Sequence, residues 1–468
     1  MLVVLSDLHF TDGTPGDHNA KADAFAQLMR EIIALARGKN AKELIFLYLG
    51  DIFDLVRSQN WQSVPLCDRP WGSSELMGQP SALSGGARVQ ASKILRDIVA
   101  ENRDSIEVLS GRAPGIAESL GALDIDIKNI FIPGNHDRLY NVDAQIKAEI
   151  DRLLGIDARG VEGLQAHSLE SRRYGVLARH GHEFDIWNFE GWAKDRYEFD
   201  ALDYMRVPIG EIFSAEFITR VPMTIRQKLV EAGIPTSVVE TVYTRLLDLD
   251  NVRPISAVIP WIYYTSACLC RSAPWSAPLR DAVSGLIDKT TCETFEAFMD
   301  LPYTKAWLKA RDSYLNPLDE ADQLQGLQWL LRMGVGLDTI ASGVAAFEHM
   351  GLKIEGPQRR AAPKEPKIGD ENSGLHYVVY GHTHHYEAVP LSVRGSQEKI
   401  YFNSGTWRSR CVRAENDKDF VLWKLMSYLV FYAEDEDPLG VERKGHSFEA
   451  WSGTALHNPR AYRLKPSE

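Results

Sequence analysis

Five short motifs in this sequence carry side chains of the kinds that bind metal ions. They combine Asp, His and Asn and are spread over most of the chain. Each alone has an ordinary structural explanation, because Asp and Asn cap helices, glycines turn loops, and histidines satisfy buried hydrogen bonds. Their joint occurrence predicts one metal site. The motifs are Asp7-Leu8-His9, Gly50-Asp51-Ile52-Phe53-Asp54, Gly134-Asn135-His136-Asp137, His180-Gly181-His182 and Gly381-His382-Thr383-His384.

The types of donor atom in these motifs predict the chemistry. Carboxylate, imidazole and amide oxygen without thiolate suit Mn, Fe, Zn or Ni at a hydrolytic centre. Two such ions about 3.5–4 Å apart lower the pKa of a bridging water towards ~7 and hold the attacking and leaving oxygens of a phosphoryl displacement. One carboxylate has to lie between the ions. Asp51 is the best candidate, because Gly50 lets the backbone turn sharply before it.

The segments before the motifs read as buried strands of an α/β protein. Short apolar runs precede all five motifs, and residues Ala20 to Arg37 between the first two runs have the apolar spacing of a crossover helix. Ligand sites in open α/β sheets lie at the carboxyl ends of the strands, so the five motifs should meet there. The runs are Leu2 to Leu5, Leu44 to Leu49, Asn129 to Ile132, Tyr174 to Ala178 and Leu375 to Tyr380.

The composition is that of a globular protein. The 468 residues are 44% hydrophobic, and the 52 Lys and Arg against 64 Asp and Glu give a formal net charge of -12, which opposes unspecific attraction to nucleic acid or anionic lipid. Five cysteines without a CxxC pair predict neither a disulfide framework nor a thiolate zinc site. No secretory signal and no membrane span of ~20 apolar residues is visible, so we expect a cytoplasmic protein.

Two blocks of different character make up the chain. The motifs and their strands lie in residues 1–183 and 351–468, which we interpret as one core domain. Residues 184–350 are mostly helical by periodicity and rich in Trp, and we interpret them as an inserted helical cap. This cap could cover the site or mediate formation of a homo-oligomer.

The motif set resembles that of the calcineurin-like metallophosphoesterase superfamily. Its five blocks read D-x-H, G-D-x-x-D, G-N-H-D, H-G-H and G-H-x-H, and all stand here in order without substitution. The resemblance covers roughly residues 1–183 and 375–433. It implies a four-layer αββα sandwich with a binuclear metal site on its rim and a large, mainly helical inserted cap.

The resemblance also implies roles for individual residues. One ion would be held by Asp7, His9, Asp51 and His384, and the other by Asp51, Asn135, His180 and His382. His136 would contact the phosphate and protonate the leaving alkoxide, oriented by Asp137, and Asp54 would support the loop that carries Asp51. His182 either bonds to the metal shell or caps its loop. Candidate phosphate-binding cations are Arg57, Arg138 and Arg408.

The resemblance thus implies an enzyme that hydrolyses a phosphoester bond with two divalent ions, Mn first and Fe, Zn or Ni as alternatives. We expect a phosphodiesterase or diphosphatase acting on a small or amphiphilic phosphoester, with the helical insertion as a lid. The alternative is a metal-dependent nuclease acting on DNA or RNA, against which the net charge argues. A scaffold that binds metal without catalysis is a third reading, opposed by the complete motif set.

Overall fold

The protein has a mixed α/β fold with two mixed sheets, as the sequence predicts for the class. We describe it from a computed structural model covering residues 1–72, 82–253, 255–311, 356–394, 397–414, 419–438 and 445–455. Part of the predicted insertion, residues 312–350, lies outside the described residues, as do residues 351–355. The division into core and insertion therefore stays a prediction.

The first sheet carries the first three motifs. Strands β1 (Leu2–Leu5), β2 (Glu43–Leu49) and β3 (Asp126–Ile132) are parallel. The other side of β1 pairs antiparallel with β10 (Phe420–Tyr432), which also pairs with β9 (Ser409–Arg413) and β11 (Ser447–Ala455). The parallel direction of β1, β2 and β3 brings their carboxyl ends, and so three motifs, to one edge.

The second sheet carries the last two motifs. Its strand order is β4-β5-β6-β8-β7, with β5, β6 and β8 parallel. The fourth motif follows β5, and the fifth follows β6, its parallel neighbour. The strands are β4 (Leu169–Ser171), β5 (Val176–Ala178), β6 (Tyr377–Tyr380), β7 (Glu387–Arg394) and β8 (Gln397–Asn403).

The two sheets share one hydrophobic core. Side chains alternate across β1, so that Leu2 and Val4 share a buried cluster with residues of the second sheet such as Val176, while Val3 and Leu5 belong to the larger cluster formed with the helices. Each buried side chain of this kind contributes about 1.5–3 kcal/mol. A one-residue shift of β1 would exchange its two faces and displace Asp7 from the edge.

Helices flank the first sheet and fill the described part of the insertion. They are α1 (Ala22–Gly38), α2 (Gly85–Leu109), α3 (Pro114–Gly121), α4 (Arg138–Val142), α5 (Ala144–Leu154), α6 (Ile209–Phe213), α7 (Arg220–Glu231), α8 (Thr236–Leu246), α9 (Val258–Ser272), α10 (Ala277–Met299), α11 (Pro302–Arg311), α12 (Pro357–Ala361) and α13 (Pro366–Gly369). A π-helical turn, Ser214–Ile218, follows α6.

The described insertion helices pack directly on the core. Val221 in α7 and Trp261 in α9 belong to the same hydrophobic cluster as Val3 in β1. The loop before α9 also reaches β9, where Val252 forms a parallel β-bridge with Cys411. Among the described helices, none combines the length and hydropathy that a bilayer crossing requires.

Candidate metal centre

The structure brings all seven predicted metal ligands together at the edge shared by the two sheets. Asp7, His9, Asp51 and His384 offer ligand atoms within 4.8 Å of one another, and Asp51 belongs to a second such group with His180 and His382. Asn135 joins the second group, because its Oδ1 lies 3.0 Å from His382 Nδ1. Asp51 is thus the residue common to both groups, as expected of a bridging carboxylate.

The ligand-bearing loops have an unusual backbone. Eight non-glycine residues of the described chain have positive φ, and five of them are predicted ligands: Asp7, His9, Asp51, His382 and His384. Such conformations are costly for residues with a Cβ and cluster at functional sites. Here they turn successive side chains towards the same point instead of to opposite sides of an extended chain.

Two motif glycines are required by close contact. A Cβ on Gly50, whose φ is +80°, would lie 2.3 Å from His180 Nδ1. A Cβ on Gly134 would lie 2.2 Å from Asp51 Oδ1. Both positions therefore need glycine so that the three loops can approach each other around Asp51.

The donor atoms fit divalent cations. His9 Nδ1 lies 2.9 Å from Asp54 Oδ2, which places its proton on Nδ1 and leaves the Nε2 lone pair facing His384 Nε2 at 2.9 Å. Asp7 Oδ1 and His180 Nε2 are buried and have no hydrogen-bond partner among the described residues. His180 Nε2 is 3.3 Å from Asp51 Oδ2. These facing imidazole nitrogens and the unpartnered atoms of Asp7 and His180 form a set of ligand atoms suited to cations.

The carboxylate of Asp51 raises the pKa values of two neighbouring groups in this cluster. Burial raises the pKa of Asp7, and the nearby carboxylate of Asp51 raises it further. Burial lowers the pKa of His180, but the carboxylate of Asp51 outweighs it and raises the value to about 10. Without a metal, a proton on His180 therefore balances the carboxylates, and a bound cation would replace it.

The two remaining motif aspartates have exchanged their expected partners. His136 Nδ1 lies 3.0 Å from Asp54 Oδ1, whereas Asp137 was expected to orient this ring. The Asp137 carboxylate instead accepts hydrogen bonds from the backbone N–H groups of Asp51, Phe53 and Gly134 at 2.5, 3.2 and 3.0 Å. Asp137 therefore supports the loop of Asp51, the role expected for Asp54. The physical reason is that Asp137 lies under this loop, while Asp54 faces both His9 and His136.

The three candidate arginines differ in their surroundings. Arg138 binds both carboxylate oxygens of Glu211, at 2.5 and 2.7 Å, and is buried in that pair. Arg408 is also buried and pairs with Asp250. Only Arg57, of the three, lines the cavity at the ligand groups, and its Nη2 donates to His136 Nε2 at 3.0 Å.

Sequence reasoning missed three residues at this site. Asp185 Oδ2 lies 2.9 Å from His382 Nε2, on the ring edge opposite Asn135, so it can orient that imidazole. Its only sequence signal is its position three residues after His182. Asp250 and Arg253 lie in the predicted insertion and had no signal, because they reach the site through the β-bridge between Val252 and Cys411.

A cavity of about 870 Å³ opens on the ligand groups. Its lining includes the motif residues Asp51, Asn135, His136, His382 and His384, and aromatic and basic residues such as Trp187, Trp192, Tyr197, Arg253 and Arg410. Its size suits a small organic ligand. No protein-family model matches this chain, and no curated protein matches its sequence.

Proposed function

We propose that this protein is a binuclear metallophosphoesterase that hydrolyses a phosphodiester or diphosphate bond. The observation that carries the proposal is the position of Asp51, whose carboxylate is shared by two groups of buried donor atoms. A shared carboxylate is the arrangement that holds two ions at the spacing of hydrolytic phosphoryl transfer, about 3.5–4 Å. The face-to-face packing of the two sheets supports the αββα sandwich implied by the sequence resemblance.

Each ligand group has a defined task in this proposal. Asp7, His9, Asp51 and His384 would hold one ion, and Asp51, Asn135, His180 and His382 the other. When bound, the two ions would supply an activated water and charge neutralisation at the phosphate. The chain's own contribution is orientation: Asp54 fixes the ring of His9, Asp185 fixes that of His382, and Asp137 fixes the loop of Asp51.

His136 would serve as the proton donor to the leaving oxygen. Asp54 accepts from its Nδ1, so Nε2 is the atom that faces substrate. In the free protein Nε2 accepts a hydrogen bond from Arg57. When a phosphate oxygen is bound, the Arg57 N–H group would donate to it instead of to His136. The Nε2 atom of His136 would then be free to carry a proton and give it to the leaving group.

We place this activity in a reducing compartment such as the cytoplasm. The five cysteines support this, because all are free thiols. Residues of the predicted insertion line part of the cavity, mainly in the segment 184–197, and support its interpretation as a cap over the substrate. Its tryptophans Trp187 and Trp192 offer flat apolar surface to an organic group next to the phosphate.

A substrate comparison tests this function. Metal-stripped protein reloaded with Mn²⁺ is assayed on an aryl phosphomonoester, an aryl phosphodiester, a nucleoside diphosphate-linked compound, and single- and double-stranded DNA and RNA. The proposal expects metal-dependent turnover, with the diester or the diphosphate preferred. Preferred cutting of a polynucleotide would replace it by the nuclease alternative, and no metal-dependent turnover on any substrate would refute it.

A further inference from the structure

Four arginines crowd one side of the metal centre. They are Arg57, Arg253, Arg408 and Arg410, and the carboxylates paired with this group are Asp54 and Asp250. Arg57 Nη1 lies 3.1 Å from Asp250 Oδ1, and Arg408 pairs with the other oxygen of the same carboxylate. Both carboxylate oxygens of Asp250 are therefore paired with these two arginines. Positive charge is in excess in this group, although the whole chain carries a net charge of -12.

The excess positive charge is carried by Arg253 and Arg410. Within the described part of the chain, neither has a carboxylate within 4.0 Å of its guanidinium nitrogens. Arg253 Nη1 donates only to the backbone carbonyls of Asp250 and Val252, at 3.1 and 2.8 Å. Arg410 Nη1 lies 2.9 Å from His385 Nδ1, and its buried Nε has no partner among the described residues. Partly buried guanidinium groups without anions are costly, so an anion would be bound favourably here.

The fold fixes the two arginines beside each other and beside the ligand groups. The backbone N–H of Arg253 donates to Cys411 O at 3.0 Å, which holds the insertion against the residue that follows Arg410. Both side chains line the same cavity as His136 and His384. The insertion thus adds a charged group to a site otherwise built by the core.

Electrostatic shifts agree with this placement. Burial and the neighbouring charge of Arg57 lower the pKa of Arg253 to about 9, despite Asp250. Burial lowers the pKa of Arg410 to about 10. Both groups stay charged at neutral pH, and each would gain from a nearby anion.

We propose that Arg253 and Arg410 form an anion subsite for a second, non-scissile phosphoryl group, so that the preferred substrates are small organic diphosphates. This inference rests on the proposed function, because it needs a scissile phosphate at the metal centre. Water adds to the phosphorus held there, and the bond from that phosphorus to the bridging oxygen breaks. The bridging oxygen keeps the electron pair and leaves on the phosphate held by the two arginines, which stabilise its charge. A diphosphate that links two organic groups gives two phosphate monoesters. His136 gives its proton to the leaving oxygen and regains one from the water, and the second proton of the water passes to a phosphate oxygen or to solvent.

A binding measurement tests the subsite without turnover. Metal-free protein is titrated with inorganic pyrophosphate in a calorimeter, and wild type is compared with Arg253→Gln and Arg410→Gln. We expect each variant to bind pyrophosphate about 10- to 100-fold more weakly, the effect of losing a charge-assisted hydrogen bond. Arg226→Gln is the matched control, since it removes one arginine charge from the exposed Arg226–Glu240 pair, and it should bind like wild type.

A kinetic comparison then separates the subsite from the metal centre. The Mn-loaded proteins are assayed on a nucleoside diphosphate-linked compound and on an aryl phosphodiester, which has no second phosphate. The loss in kcat/KM for Arg253→Gln should be at least about tenfold greater on the diphosphate. Arg253→Lys should recover part of it, because the charge remains while the guanidinium fork is lost.

Equal losses on both substrates, or pyrophosphate binding that neither substitution weakens, would overturn the subsite. If turnover of a short oligonucleotide depends on Arg253 as strongly as turnover of the diphosphate does, and the oligonucleotide is the preferred substrate, the assignment to small substrates would be overturned. The wild-type protein could also bind pyrophosphate through these arginines but show no metal-dependent turnover. That result would refute the proposed function and with it the role of the anion as substrate.

Discussion

The carboxylate of Asp250 lies 3.1 Å from the guanidinium of Arg57, so a residue of the predicted insertion is ion-paired with a residue that touches His136. Asp250 also pairs with Arg408, and all three side chains are buried. This pair couples the insertion to the centre of the site. A cap that only covered the cavity from outside would make no such contact.

Asp250→Asn should therefore destabilise the protein strongly. The substitution leaves the buried guanidinium of Arg408 without a carboxylate and that of Arg57 with Asp54 alone. Breaking a buried ion pair in this way costs about 3–5 kcal/mol. The free energy of unfolding in urea measures the effect. Glu240→Gln, which breaks the exposed pair with Arg226, is the control and should cost at most about 1 kcal/mol. Equal effects of the two substitutions would contradict the coupling.

Asp54→Asn should weaken both metal binding and turnover. The carboxylate of Asp54 accepts from His9 and His136 at 2.9 and 3.0 Å, and an amide has only one oxygen for the two rings. Loss of such an orienting group costs about 10- to 100-fold in metal affinity or activity. Calorimetric Mn²⁺ titration and kcat are measured on the same preparation. Asp17→Asn, at an exposed aspartate paired with Lys21, is the control, and a native metal affinity and kcat in Asp54→Asn would exclude this role.

His136→Asn should separate chemistry from metal binding. His136 lies outside the two groups that share Asp51, so the variant should keep two metal equivalents. Loss of a general acid lowers turnover by about 10²- to 10⁴-fold. Metal content by mass spectrometry and kcat on an aryl phosphodiester check this. Unchanged turnover would remove His136 from the mechanism.

Asp51→Asn should affect both ions together. Its carboxylate serves both ligand groups, and an amide nitrogen at one of the two oxygen positions cannot accept a cation. We expect metal content to fall from two equivalents to below one, with most activity lost. A variant that retains two equivalents and the wild-type rate would show that another residue bridges the ions.

Stability should fall as the pH drops below about 6.5, partly through His18. Burial, with the nearby charge of Arg408, lowers the pKa of His18 from 6.5 to about 4. Between these values the unfolded chain binds a proton that the folded chain does not, so protonation favours unfolding and stability rises with pH. Urea unfolding of the metal-free protein at pH 5 and pH 7 measures this. His18→Gln should reduce the difference, while His446→Gln, a distant histidine, should not.

The sequence predicted that the five motifs would meet, because each motif is local and follows a strand whose direction fixes where it ends. Asp7 and His9 follow β1, and the fifth motif follows β6, so pairing of parallel strands alone brings them to one edge. The partners of Asp54 and Asp137 could not be predicted, since they depend on how two loops stack. The aspartates occupy equivalent places in their motifs, and only the folded chain shows which faces His136.

The partners of the arginines could not be predicted from the sequence either. Arg138 and Arg408 stand next to motif or turn residues, but their partners Glu211 and Asp250 come from the insertion, about 70 and 160 residues away in sequence. Arg253 has no motif around it and reaches the site through the bridge between Val252 and Cys411. Side-chain pairing across an insertion leaves no periodic or local signal in a single sequence.

The most direct test of the central claim is a Mn²⁺ titration of phosphodiesterase activity. Protein stripped by chelator is mixed with increasing Mn²⁺, and turnover of an aryl phosphodiester is followed together with metal bound per chain. We predict no turnover without metal and a rise in turnover that ends near two bound equivalents. Turnover that is independent of Mn²⁺, or two tightly bound ions without any turnover of the diester or of the diphosphate, would contradict it.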